Sequence, residues 1–224
     1  MRKWFVGALG LVSIVATLPV AAVAIDADDR QDLKLFDFTT RKLDHPTGLR
    51  FRIDYGAPPS DQAVDKMVGR FERGTRYDPS VPELCEAPDE QLESQGAGAC
   101  PAGSIVGEGV VRARAFNMEV IADVTLLNNT NEIIFLSEAR GLPIPVRTVD
   151  RARVNEPKRK VIVETPDGFD LREVRLDVAK IADGDRGYLT TPNRCPDGGE
   201  WINKLRLAYR DGFKDEERER SPCK

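Results

Sequence analysis

Four cysteines, a single histidine and 37 carboxylates are the residues of this 224-residue chain whose chemistry is worth testing first. Cys85, Cys100, Cys195 and Cys223 fall at intervals C-x14-C and C-x27-C with no CxxC pair. The one histidine, His45, is remote from all four, so the spacing of a tetrahedral zinc site is missing. An even number of cysteines suits disulfides instead, and four allow three pairings. Pairing Cys85 with Cys100 and Cys195 with Cys223 closes two short loops rich in proline, glycine and polar residues. Each crosslink would then contribute roughly 3 kcal/mol by restricting the unfolded chain.

No set of side chains specifies a reaction. A serine hydrolase needs a base beside its nucleophile. His45 sits in the turn Asp44-His45-Pro46-Thr47-Gly48, and Ser104 in Gly103-Ser104-Ile105-Val106-Gly107 has Ala102 where a nucleophile elbow requires glycine. A glycosidase would need two carboxylates at a defined separation, which no local pattern supplies. Of the aromatic platforms that sugar binding favours, the tryptophans are Trp4 and Trp201, and Trp201 is expected to pack in the core near a disulfide. Asp183-Gly184-Asp185 and Asp167-Gly168-Phe169-Asp170 resemble fragments of a calcium loop, but Gly187 stands where the next ligand would be and no glutamate closes the series. They read as Asp-Gly turns. Asn128-Asn129-Thr130 matches the glycosylation pattern and is also read as a turn. The expectation is therefore no catalytic residue, no metal and no cofactor.

The amino terminus carries its own message. Arg2 and Lys3 precede an apolar run from Trp4 to Val20, and Ala22-Val23-Ala24 forms a signal-peptidase site, so residues 1–24 read as a signal peptide with the mature chain starting at Ile25. Read as uncleaved, the same segment is just long enough to anchor the protein in a membrane. Without Arg2 and Lys3 the chain carries 31 basic against 37 acidic side chains, a net charge of −6. That balance disfavours nucleic acid or an anionic membrane as partner. Export also fits the cysteines, because disulfides persist in oxidising compartments.

The elements that would position any site are mostly strands. Leu49, Phe51, Ile53 and Tyr55 alternate with Arg50, Arg52 and Asp54, the period of a half-buried strand. Val174, Leu176 and Val178 alternate with Arg175 and Asp177, and Leu205, Leu207 and Tyr209 with Lys204, Arg206 and Arg210. Further strands are expected at residues 33–39, 105–115, 119–127, 132–137, 146–154 and 160–164. Residues 60–72 predict a helical turn that gives way to a strand, and residues 77–103 a long loop held by its own disulfide. The charged run Lys214 to Arg220 reads as a solvated edge strand. This pattern predicts a mainly β fold, an antiparallel β-sandwich or distorted barrel with at most one short helix after the signal helix. Residues 25–224 are expected to form one domain, with Gly141 to Pro145 as the candidate boundary if there are two.

Three stretches carry a resemblance. "LCEAPDEQLESQGAGACPAGSIVGEG" from Leu84 to Gly109, "VIADVTLLNN" from Val120 to Asn129 and "GYLTTPNRCPDGGEWINKLRLAYRDG" from Gly187 to Gly212 resemble a family of uncharacterised secreted actinobacterial proteins. The resemblance implies a β-sandwich-like extracellular domain with two local disulfides and brings no activity, ligand or catalytic residue with it. The four cysteines match, while "LLNN" stands where a phenylalanine-bearing turn is expected. The function these features favour is a non-enzymatic exported β-domain, an envelope-associated or extracellular structural or binding module with an unidentified partner there. The alternatives are a secreted glycosidase-like hydrolase and a carrier of a small apolar ligand. Convergent carboxylates in a cleft would mark the hydrolase. An apolar cavity too large to be a packing defect would mark the carrier.

Overall fold

The structure is a computed structural model that describes residues 30–115 and 117–224. The expected signal peptide, with its expected cleavage site at Ala22, Ala24 and Ile25, lies outside the described residues. In chain order the elements begin with β1 (Asp32–Phe38), β2 (Pro46–Thr47), β3 (Leu49–Asp54), β4 (Val64–Arg70), β5 (Arg76–Tyr77) and α1 (Asp89–Gln95). A meander follows: β6 (Ile105–Ala115), β7 (Met118–Asn128), β8 (Glu132–Ala139), β9 (Arg147–Asn155) and β10 (Lys160–Glu164). The chain ends with β11 (Phe169–Val178), β12 (Ala182–Asp183), β13 (Arg186–Gly187), β14 (Leu189–Thr190), β15 (Glu200–Tyr209) and β16 (Lys214–Pro222).

Eleven strands make one sheet in the order β1-β3-β11-β6-β7-β8-β9-β10-β4-β15-β16. The fold is mainly β as the alternation predicts, and of the two expected arrangements it takes the barrel: one sheet curls until its edges nearly meet. Strands from both sides of Gly141 to Pro145 interleave, since β11 lies between β3 and β6 while β4 lies between β10 and β15. The alternations set which side chains face inward. Leu49 and Ile53 are buried with Arg50, Arg52 and Asp54 outside, and Leu205, Leu207 and Tyr209 are buried on β15. The ambiguous segment resolves into a 3-10 turn at Ser60–Gln62 followed by β4. Inside the expected loop, α1 forms after Pro88 with acidic Asp89 and Glu90 in its first turn, which favours a helix start.

Every neighbouring pair in this sheet is antiparallel. With an odd number of strands the two edges must run in the same direction, so the β1–β16 seam joins parallel strands. No backbone ladder forms between them, and side chains do the stitching. Near the start of both strands, Gln31 donates to Asp215 and to Glu217 at 3.2 Å and accepts from the Tyr209 hydroxyl. At their far ends, Ser221 and Arg41 both donate to Asp37. The Asn203 amide reaches the Phe36 carbonyl at 3.0 Å and receives the Glu72 N–H at 3.1 Å. The Cys195–Cys223 disulfide, with Cα atoms 5.7 Å apart, ties the end of β16 to the loop before β15.

Burial alone would raise the Asp37 carboxyl, but hydrogen bonds from Arg41 and Ser221 hold it below the usual carboxylate range. A lowered folded-state pKa contributes stability above the ordinary carboxylate pKa that disappears as the pH falls through the folded value. Asp37→Ala is therefore expected to remove about 2–3 kcal/mol of unfolding free energy at neutral pH, because it strands buried donors at the seam. Urea denaturation should show that deficit shrinking in acid, whereas Arg50→Ala, on the exposed face of β3, should change stability by less than about 0.5 kcal/mol.

Candidate functional site

The barrel is solid on one side and hollow on the other. Phe36, Phe38, Ile53, Met67, Trp201, Leu205 and Leu207 fill the half built by β1, β3, β4 and β15, with the Phe38 and Trp201 rings edge to face at 5.8 Å. Across from them the inward positions of the meander nearest the β6–β7 and β8–β9 turns include small ones: Ala113 and Ala115 on β6, Ala122 on β7, Ser137 and Ala139 on β8. Such side chains cannot reach the opposite wall. A cavity of about 510 Å³ remains, walled by Phe51, Val111, Phe135, Val161, Val163 and Leu176 among others. These inward residues are only half-buried because their surfaces open onto the lumen.

Its size decides what it is. The cavity opens to solvent at one end, so without a ligand its apolar walls stand against water instead of being buried. Ligand pockets run from roughly 300 to 1,000 Å³ and are mostly apolar with a few polar groups.

The two ends differ. Where β3 begins and β4 and β11 finish, the small sheet β2-β14-β5 closes the barrel, with Tyr188 and Leu189 buried against its interior and the Tyr77 and Tyr188 rings 5.0 Å apart. The opposite end carries the β6–β7 and β8–β9 turns. There Met118 is 63 % exposed and Leu142 51 %, with Ile121 and Val146 also exposed, and all four line the cavity. This rim is an apolar mouth continuous with the lumen. Beside it Asp170 accepts from Ser60, Arg114 and Arg210; burial would raise its carboxyl, but these three donors hold it low.

Few polar groups face the lumen. Asp150 on β9 makes no hydrogen bond or ion pair among the described residues, and desolvation, reinforced by the nearby Asp89 carboxylate, pushes its carboxyl up to about 6. Near the closed end, Thr75 and Arg159 line the cavity. The Thr75 hydroxyl and the Arg159 Nε are buried without a hydrogen-bond partner, and at the mouth the Thr165 hydroxyl is in the same state.

The residues singled out by sequence are scattered around this site, not gathered in it. The cysteines pair as expected, and Cys85–Cys100, with Cα atoms 5.0 Å apart, ties down the loop carrying α1, whose Leu92 packs on Leu127, Ile134 and Leu136 on the outer wall. His45 lies exposed with its Nδ1 near the Leu43 carbonyl, while Ser104 is fully buried and donates to the Pro101 carbonyl at 2.7 Å. Asp183 and Asp185 sit exposed on the β12–β13 hairpin, and Asp170 is spent on its ion pairs. Among the described residues no cluster of three His, Cys, Asp or Glu side chains could hold a metal. Trp201 is fully buried, as expected.

Asn129 and Thr130 lie in the turn between β7 and β8, as read, while Asn128 is the last residue of β7. It is fully buried, its amide donating to the Pro79 and Glu83 carbonyls at 2.9 and 3.0 Å, while Asn129 donates to the Cys85 carbonyl at 2.7 Å. The two asparagines thus fasten the cysteine loop to the barrel. Sequence reading missed the lumen residues. Their signal was the run of alanine and serine at alternate positions of β6 to β8, visible only once each strand's inward face is known.

The fold and cavity together define a small-molecule-sized barrel with one closed end. Compared with protein-family models, curated proteins and solved structures, the chain matches none. Two disulfides fit an oxidising, extracytoplasmic setting, and among the described residues no helix is long and apolar enough to cross a membrane.

Asp150 supplies a check on the lumen. Because its folded-state pKa lies above the unfolded 3.8, the native state holds the extra proton, and stability should fall as the pH rises from about 4 to about 6. Asp150→Asn should raise the unfolding free energy by about 1–2 kcal/mol near pH 8, allowing for partial solvent access, and leave it unchanged near pH 4. Paired urea titrations at the two pH values measure this.

Proposed function

We propose that the protein is an exported carrier or binding protein that holds a small apolar molecule inside its barrel, the signal peptide at residues 1–24 delivering it outside the cytoplasm. The cavity of about 510 Å³ carries this reading. It favours the carrier over a purely structural module, whose working surface would be a strand face, because such a module gains nothing from leaving so much apolar surface unburied. It also favours the carrier over a hydrolase, since the other carboxylates that line the cavity, Glu119 and Glu164 at the mouth and Glu156 at the closed end, stand at its ends and not as a pair with Asp150. The two disulfides and the resemblance to secreted actinobacterial proteins support the export. An apolar rim that runs into the lumen gives the ligand a dry path of entry.

The test uses the mature chain and the neutral apolar fluorophore N-phenyl-1-naphthylamine. The expected result is saturable binding at one site, with blue-shifted emission, weakening as the pH rises through about 6 and the Asp150 carboxyl ionises into the lumen. An Ala113→Trp, Ala122→Trp double variant places two indoles in the hollow half and should weaken binding at least tenfold while circular dichroism stays the same. Equal binding by wild type and variant would remove the lumen from consideration.

A further inference from the structure

The polar groups at the closed end of the cavity point to the chemistry of the ligand. We propose that the occupant is an amphiphile with an acidic head group, a long-chain carboxylate, whose head is received by the Arg159 guanidinium and the Thr75 hydroxyl while its tail lies along the apolar lumen. This rests on the carrier reading and adds which way round the ligand sits and what it must carry.

Arg159 occupies the turn between β9 and β10, and its carbonyl receives the Phe71 N–H at 3.0 Å just beyond the end of β4. That places the residue where β4 leaves the barrel, the same end from which Thr75 lines the cavity. Arg159 has no ion pair and its side chain no hydrogen bond among the described residues, and its Nε is buried without a partner. Thr75 is 6 % exposed and its hydroxyl is likewise unpaired. Buried donors left unsatisfied cost roughly 1–3 kcal/mol each, so two at the same end of the cavity call for an acceptor. A carboxylate is the acceptor that suits a guanidinium, which offers it parallel N–H groups.

Neighbouring charges agree. Arg76, which also lines this end, is paired with Asp44 at 2.6 Å, and Lys160 adds a further cation, against Glu156 on the same turn. Asp150, the carboxyl that would repel an acid, is five residues back along β9 from Asn155, about 16 Å at the rise of a strand. An acid seated at Arg159 keeps its charge away from Asp150 and lays only hydrocarbon beside it. The backbone makes the side chain conspicuous, for Arg159 adopts φ 53°, a conformation glycine would take without strain.

That conformation also provides a clean variant, because Arg159→Gly removes the guanidinium and relaxes the backbone. Calorimetric titration of the mature protein with dodecanoate and with dodecanol should show the acid binding at least tenfold more tightly. Arg159→Gly should weaken the acid at least tenfold and the alcohol by less than twofold, Arg159→Lys should restore part of the difference, and Thr75→Val should weaken the acid about threefold. Acid and alcohol binding alike, or Arg159→Gly weakening both equally or neither, would overturn the head-group assignment and leave the carrier reading in place. Failure of both probes to bind would overturn the two together.

Discussion

An antiparallel sheet of eleven strands can curl upon itself only by bringing together two edges that run the same way, and everything distinctive here follows from that constraint. The β1–β16 seam has no backbone ladder. Gln31, Asp37, Asn203, Tyr209 and Ser221 hold it with side-chain hydrogen bonds, and the Cys195–Cys223 bridge lies at one end of it. These polar groups are buried, so each bond lost would leave a partner unsatisfied in a low-dielectric setting. The charges along β16 do double duty: they face the seam on one side and keep the edge from pairing with another chain on the other.

Closure of the ring creates an interior, and the distribution of side-chain volume decides whether that interior is full. On the β1, β3, β4 and β15 side, phenylalanine, tryptophan and leucine interdigitate as in any core. On the meander side, alanine and serine point inward and the wall stands back. On the outside of the same strands, Leu127, Ile134 and Leu136 are covered by α1. The disulfide between Cys85 and Cys100 keeps that cover in place, and Asn128 and Asn129 bolt its loop to the barrel. The first disulfide thus serves the outer wall and the second the seam.

The cavity's polarity is as uneven as its volume. Its mouth is ringed by exposed apolar side chains, its middle carries a carboxyl whose pKa burial raises to about 6, and its closed end carries an unpaired guanidinium and a hydroxyl. A ligand with one apolar end and one acidic end satisfies that gradient better than a uniform hydrocarbon, whose burial would leave the donors at Arg159 and Thr75 unmet.

By itself the sequence determined the class of structure. Period-two alternation at Leu49 to Tyr55, Val174 to Val178 and Leu205 to Tyr209 is a local property that survives any arrangement of strands, so strand identity and the buried face of each were legible. The cysteine pairing was legible too, since it depends on short loops. Tertiary structure alone decided the order of strands, because which edge meets which is a matter of contacts between residues far apart in the chain: β4 beside β10 and β15, β11 beside β3 and β6. Only that order turns Ala113, Ala122 and Ser137 from unremarkable small residues into one hollow wall, and sets Asp150 and Arg159 facing the same space. A site made by the geometry of a closed ring has no signature along the chain, for its residues become neighbours only when the ring exists.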